Sequence, residues 1–236
     1  MKVKAHEEVN PTEEKLGGEY KSWALRIPCG EVMLSGDLEI PPNPVGLVLF
    51  AHGSGSSRLS PRNRYVASEL QNAGLATLLF DLLTEEEEEV DQVTAHLRFN
   101  IGFLAERLLF AADWLAQNQR TARLPTGLFG ASTGAAAALV AAVERPEQVR
   151  AIVSRGGRPD LAGKALPDVQ APTLLIVGGN DDLVIGLNEK ALARLGATEK
   201  QLVVVPGASH LFEEPGKLDE AAHLAKNWFA KHLGAE

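Results

Sequence analysis

Six short apolar runs between Gly46 and Ala208 limit the folds open to this chain: GLVLFAHG, LATLLFDLL, TGLFGAS, VRAIVSRGG, APTLLIVGG and KQLVVVPGA. Nearly continuous runs of this length read as strands buried on both faces rather than as the alternating strands of a one-sided sheet. Helical spacing fills the intervals, as with Val66, Leu70 and Ala73 before Gly74, or Ile101, Leu104, Leu108, Ala111 and Leu115. Regular alternation of buried strand and helix predicts an α/β fold with a central, mostly parallel sheet covered by helices on both faces. The segment KLDEAAHLAKNWFAKHL places Leu218, Ala221, Ala225, Trp228, Phe229 and Leu233 on one face and predicts a closing helix.

Ahead of the alternation, SWALRIPCGEVMLSGDLEI reads as two strands joined around Gly30, and Pro41, Pro42 and Pro44 break the chain before the first buried run. This predicts a β-hairpin at one sheet edge. Residues 1–20 are polar and charged and read as an N-terminal arm, leaving 21–236 as one α/β domain. No long insertion of the kind that builds a large cap domain separates the strands.

Charge and composition narrow the partners. A formal net charge of −8 and a pI near 5.3 oppose a general affinity for nucleic acid, which requires a basic face. They equally oppose binding to anionic lipid, and no apolar stretch approaches the roughly 20 residues needed to span a bilayer. The single cysteine, Cys29, cannot form an intramolecular disulfide, and MKVKAHEEVNPTEEK lacks the apolar core of a signal peptide. A cytoplasmic location is the expectation.

In open α/β sheets, ligands bind beyond the carboxyl ends of the strands. The residues just after each run are therefore the ones to inspect. They include His52-Gly53-Ser54-Gly55, Asp81, Ser132, Arg155-Gly156-Gly157-Arg158, Asp181-Asp182 and Ser209-His210.

Ser132 lies in Gly130-Ala131-Ser132-Thr133-Gly134, between an apolar run and an alanine-rich helix, the strand-turn-helix setting of a G-x-S-x-G nucleophile elbow. The bland alternative is a tight turn in which Ser132 only caps the helix. Asp181 and His210 each follow a later run, giving the order Ser, Asp, His along one predicted edge. That order fits a triad in which His210 takes the Ser132 proton and Asp181 orients the imidazole. Asp182 competes for the acid role; Asp160 is a weaker candidate, better read as a helix cap.

Acyl transfer also needs preorganised N–H donors for the developing oxyanion. The loop His52-Gly53-Ser54-Gly55-Ser56-Ser57 after an early strand offers Ser54, or alternatively Gly55, and the elbow offers the Thr133 amide. The loop lacks both G-x-x-x-x-G-K-[ST] and the third glycine of G-x-G-x-x-G, so a phosphate-cradling nucleotide loop is not supported.

Two charged features stand near the predicted mouth. The run Glu85–Glu89 reads as a solvated helix start or loop, with an acidic flap as the alternative. The arginines Arg58, Arg62, Arg64, Arg98, Arg155 and Arg158 are either structural or a local anion site, with Arg155 and Arg158 the candidate substrate contacts.

HGSGSS, GASTG, GGNDDLV and GASHLFEEPG together resemble the α/β-hydrolase superfamily, and more closely its dienelactone hydrolase-related branch, from about Ser22 to the C-terminus. The resemblance implies the α/β-hydrolase fold, hydrolysis through an acyl-enzyme, and no metal or organic cofactor. Dienelactone hydrolases use a cysteine nucleophile, whereas the elbow here carries Ser132 and Cys29 lies in the predicted hairpin. The expected activity is a serine esterase acting on small carboxylic esters or lactones. A thioesterase, amidase or acyltransferase would use the same triad, and a non-catalytic binding module would share only the fold.

Overall fold

The computed structural model describes residues 20–234. Apart from Tyr20, the expected N-terminal arm lies outside the described residues. Strands β1 (Lys21–Cys29) and β2 (Val32–Ile40) form the antiparallel hairpin, with Gly30 at its bend in the left-handed region, φ +60°. Six more strands follow: β3 (Gly46–Ala51), β4 (Leu75–Phe80), β5 (Thr126–Ala131), β6 (Val149–Arg155), β7 (Thr173–Gly178) and β8 (Lys200–Val205).

The strands make one sheet in the order β1-β2-β4-β3-β5-β6-β7-β8. β2 runs antiparallel to β4, and every pair from β4 to β8 is parallel. The chain enters the parallel sheet at β3, steps outward to β4, then returns past β3 to lay down β5. Its direction of winding thus reverses between β3 and β5, which opens a crevice at their carboxyl ends.

Helices α1 (Pro61–Gln71) and α6 (Lys217–Leu233) pack together on one face, burying Val66, Leu70, Trp228 and Phe229 with Phe50 and Phe129 of the sheet. Helices α3 (Ile101–Gln117) and α4 (Thr133–Glu144) cover the other, with Leu104, Leu108, Leu139, Leu49 and Leu128 in the core. α2 (Glu85–Thr94), α5 (Asp182–Arg194) and a 3-10 segment (Pro159–Asp168) complete the layers. Each intervening helix lets the chain cross the sheet and begin another parallel strand. No large cap domain interrupts the alternation among the described residues, and no helix among them is long and apolar enough to cross a membrane.

Two expectations change. The run KQLVVVPGA forms β8 as expected, but as the sheet's outer strand with one neighbour, and Val204 is 40% exposed. Apolar composition alone does not distinguish this edge position from the doubly buried β3, β4 and β7. Asp160 is not a side-chain cap: it sits inside the 3-10 segment and grips the Arg158 guanidinium with both carboxylate oxygens at 2.8 Å.

Candidate active site

The elbow is built by close backbone approach. Ser132 joins β5 to α4 at φ 50°, ψ −122°, a conformation that costs a non-glycine residue about 1–3 kcal/mol. Its hydroxyl makes no capping bond to the helix, so the capping alternative does not describe it. Two glycines make room. A Cβ on Gly130 would stand 2.4 Å from Ala135 Cα, and one on Gly134 would stand 2.2 Å from the Ala51 carbonyl oxygen of β3. Two amides, those of Arg158 at 3.0 Å and Ala135 at 3.2 Å, donate to the Ser132 carbonyl and hold the bend.

Asp181 and His210 meet at the same sheet edge. Asp181 stands at the N-cap position of α5, yet its carboxylate caps no amide; Oδ2 lies 2.6 Å from His210 Nδ1. Contact with a carboxylate makes Nδ1 the protonated ring nitrogen and leaves Nε2 as the acceptor. The loops carrying the pair are tied together by the Gly179 amide on the Val205 carbonyl, the Asn180 amide on the Ala208 carbonyl, and Asn180 Nδ2 on the Gly207 carbonyl. Asp182 is exposed and has no bond to His210. Among the described residues no hydrogen bond joins Ser132 to His210, a contact that commonly tightens only when substrate is present.

Glu214, which no sequence motif singles out, steadies the histidine loop. Its Oε2 accepts the Ser209 amide at 2.9 Å, and this bond holds its carboxyl below the usual carboxylate range. Only the folded loop distinguishes it from the adjacent Glu213.

The loop after β3 lies across the elbow. Ser54 Oγ and Thr133 Oγ1 are 3.1 Å apart, and the Ser56 amide donates to the Gly53 carbonyl at 3.2 Å to close a turn with Gly55 at φ +64°. Neither the Ser54 nor the Thr133 amide makes a hydrogen bond among the described residues. Gly53 must be glycine for this crossing, since a Cβ there would come within 2.8 Å of Ser132 Cβ.

His52 pins the loop from below. Nε2 accepts the Leu82 amide at 3.0 Å, and Nδ1 donates to the Gly53 carbonyl at 3.0 Å, so the buried ring is neutral with its proton on Nδ1. Burial pushes its pKa below the ordinary histidine value of 6.5. The far end of the loop is clamped by Asp81, which accepts from the Arg58 amide at 2.7 Å and from Arg58 Nη1 at 2.5 Å.

A small pocket opens beside this loop, lined by residues including Ser54, Thr133, Leu82, Leu104, Glu88 and Arg98. Its acidic wall comes from the Glu85–Glu89 run, which forms the first turns of α2 under a reciprocal cap between Thr84 and Glu87. Glu87 turns away to Arg107 at 2.6 Å, whereas Glu88 faces the pocket. Arg98 is held by the fully buried Asp91, which also accepts the amides of Leu97 and Arg98. Burial pushes the Asp91 carboxyl up, but these bonds and the Arg98 charge outweigh it and hold the group low.

The two arginines expected to meet substrate lie apart from this pocket. Arg158 spends its fork on Asp160. Arg155 is 6% exposed, with Nη2 on Asn63 Oδ1 at 3.3 Å and its guanidinium 5.8 Å from the Phe212 ring centre.

The fold, an eight-stranded mostly parallel sheet covered by helices, agrees with comparison to known proteins. The Dienelactone hydrolase family model matches residues 37–233. The chain belongs to the dienelactone hydrolase family. Within that family, a crystal structure of dienelactone hydrolase from Anabaena variabilis is 62% identical, with TM-score 0.89, over 91% of this chain and 99% of that one. A structure from Xanthomonas campestris, described as an α/β serine hydrolase without lid, shares the fold at 23% identity and TM-score 0.72, over 91% of this chain and 96% of that one. Among curated relatives, "Putative phosphoribosyl transferase Rv0571c" of Mycobacterium tuberculosis is 57% identical over 209 residues, 89% of this chain and 46% of that protein. The chain therefore spans about half the length of that family relative.

Proposed function

We propose that this chain is a serine hydrolase that cleaves small carboxylic esters or lactones through an acyl-enzyme. The observation that carries the reading is the 2.6 Å contact between Asp181 and His210 at the sheet edge where Ser132 occupies a strained elbow. A serine used only for packing would not require the positive-φ backbone, the glycine crowding and an oriented imidazole together.

In this reading Ser132 Oγ attacks the substrate carbonyl carbon while His210 Nε2 takes its proton. Asp181 keeps the proton of Nδ1 in place and stabilises the imidazolium that forms. The carbonyl oxygen gains negative charge and is met by the amides of Ser54 and Thr133. Collapse expels the alcohol, protonated by His210; with a lactone the alcohol stays on the acyl chain. Water, deprotonated by His210, then attacks the acyl-enzyme and releases the acid and Ser132.

The phosphoribosyl transferase name of the Mycobacterium tuberculosis relative belongs to a protein that this chain matches over less than half its length. The loop at His52–Ser57, without a phosphate-cradling spacing, gives no support for carrying that name over.

A fluorophosphonate probe tests the reading. Labelling of the wild type that disappears in Ser132→Ala, with hydrolysis of short-chain aryl esters or lactones lost in parallel, is the expected result. An unlabelled wild type, inactive across aryl esters, lactones and acyl thioesters, would point instead to a non-catalytic binding module. Labelling with preferential turnover of thioesters would keep the triad and change the substrate class.

A further inference from the structure

Five of the six arginines near the mouth face a carboxylate. Arg58 has Asp81 and Asp37, Arg64 has Asp37, Arg98 has Asp91, Arg158 has Asp160, and Arg62 has Glu213 at 3.5 Å. Arg155 has none among the described residues, although it is the most deeply buried of the six. Its Nε and Nη1 are shut off from solvent and make no hydrogen bond, and Arg62 Nε beside it is in the same condition.

Their surroundings make this unusual. The one side-chain hydrogen bond that Arg155 makes among the described residues goes to Asn63, in the first turn of α1, where no acidic residue is present. That end of a helix carries partial positive charge and already disfavours a cation. A buried guanidinium, Arg155, and a partly exposed one, Arg62, thus share the positive end of a helix, and the buried charge is stable only with compensation. The Phe212 ring, 5.8 Å away, offers one weak contact. Burial, and then the charge of Arg62, push the Arg155 guanidinium down to about 10.

We propose that Arg155, Arg62 and the first turn of α1 form a binding site for a small oxyanion, a phosphate or a carboxylate group. Arg155 keeps unused N–H groups on Nε and Nη1 for such a ligand, and either acts beside the second N–H of Nη2 in the side-by-side pair arginine uses for bidentate oxyanion contact. Convergence of two cations on a helix N-terminus supplies the remaining attraction. Arg155 pairs across the sheet with Ala131, the residue before Ser132, so the strand that carries the site ends beside the elbow. The bound anion is either a free ion or an anionic group on the substrate itself.

The test is thermal. Phosphate is titrated into the full chain with ionic strength held constant by chloride. A rise in Tm of roughly 5–10 °C is expected at a hundredfold excess over Kd. The rise should disappear in Arg155→Met and in Arg62→Gln. Since Arg155→Met alters a buried position, the partly exposed Arg62→Gln carries the test if that variant does not fold. A wild-type response no larger than that to chloride alone, or one that survives in Arg62→Gln, overturns the site.

Kinetics separate the two sources. Phosphate that raises KM several-fold for an aryl ester bearing a free carboxylate, and leaves a neutral aryl acetate unchanged, places the substrate's own anion in the site. Unchanged KM for both, with the Tm rise intact, identifies a free oxyanion. The thermal readout needs no turnover, so it stands or falls separately from the hydrolase reading.

Discussion

His52 Nε2 accepts the Leu82 amide hydrogen at 3.0 Å, joining the loop that crosses the elbow to the end of the neighbouring strand β4. Protonating that nitrogen would set an N–H against an N–H and leave both buried and unpaired. The neutral ring is therefore part of what holds Ser54 against Thr133.

This bond predicts an acid-side loss of stability. His52 binds a proton near pH 6.5 when unfolded, but only at lower pH when folded. Between those values the unfolded state holds more protons, so the contribution is complete above about pH 6.5 and declines as the pH falls toward the folded value. Urea melts between pH 5 and 7 should show a slope of up to about 1.4 kcal/mol per pH unit from this group, removed in His52→Gln. His232, also held low by burial, supplies a residual slope. An unchanged profile in His52→Gln would show that the ring does not carry the effect.

Asp181→Asn keeps the shape of the acid but removes the charge facing His210 Nδ1. A fall in kcat of about 10⁴ with little change in KM is expected, as for loss of the orienting carboxylate in serine triads. Asp182→Asn, on the exposed start of α5, should change kcat less than about threefold. Steady-state kinetics on both variants decide between the two neighbours.

Thr133→Val removes a hydroxyl 3.1 Å from Ser54 Oγ but keeps the backbone amide. If the amide is the oxyanion donor, kcat should fall by less than about tenfold, well short of the 10²–10³ typical for loss of such a donor. A loss in the larger range would assign the donor to the hydroxyl instead.

Glycine substitutions should separate crowding from flexibility. A methyl on Gly134 meets the Ala51 carbonyl oxygen at 2.2 Å, a backbone atom that cannot turn aside, and Gly134→Ala should cost at least about 1–3 kcal/mol. Gly186, inside α5, has open space around its Cβ position, and Gly186→Ala should stabilise the chain by about 0.4–1 kcal/mol. Chemical denaturation of the two variants side by side measures the contrast.

Much of the architecture was legible because burial leaves a local record. The runs GLVLFA, LATLLF and TLLIVG state their strands almost residue by residue, since a strand covered on both faces has no polar side to interrupt it. The closing helix shows the same economy: five of the six residues assigned to its inner face are buried, and Leu218 packs at its margin. The run at β8 read identically to the others, because the number of neighbouring strands is not a property of the strand's own residues.

The arginines mark the boundary on the side of the site. Six of them near one predicted edge read as either structural or a local anion site, and whether each meets a carboxylate depends on residues between 2 and 151 positions away, from Asp160 beside Arg158 to Glu213 facing Arg62. Pairing at that range is set by the order of strands, and the sequence does not print that order.

By itself the sequence determined the alternation of buried strand and helix, the small residues that let Ser132 turn between β5 and α4, and the order in which Ser132, Asp181 and His210 come along the chain. Those are properties of neighbours in the chain, fixed by side-chain size and polarity. Tertiary structure alone decided that Asp181 rather than Asp182 meets His210, that His52 pins the loop over the elbow, and that Arg155 is buried without a counter-charge. These depend on distances across the sheet, where a single residue's shift along a turn redirects a carboxylate from solvent to an imidazole.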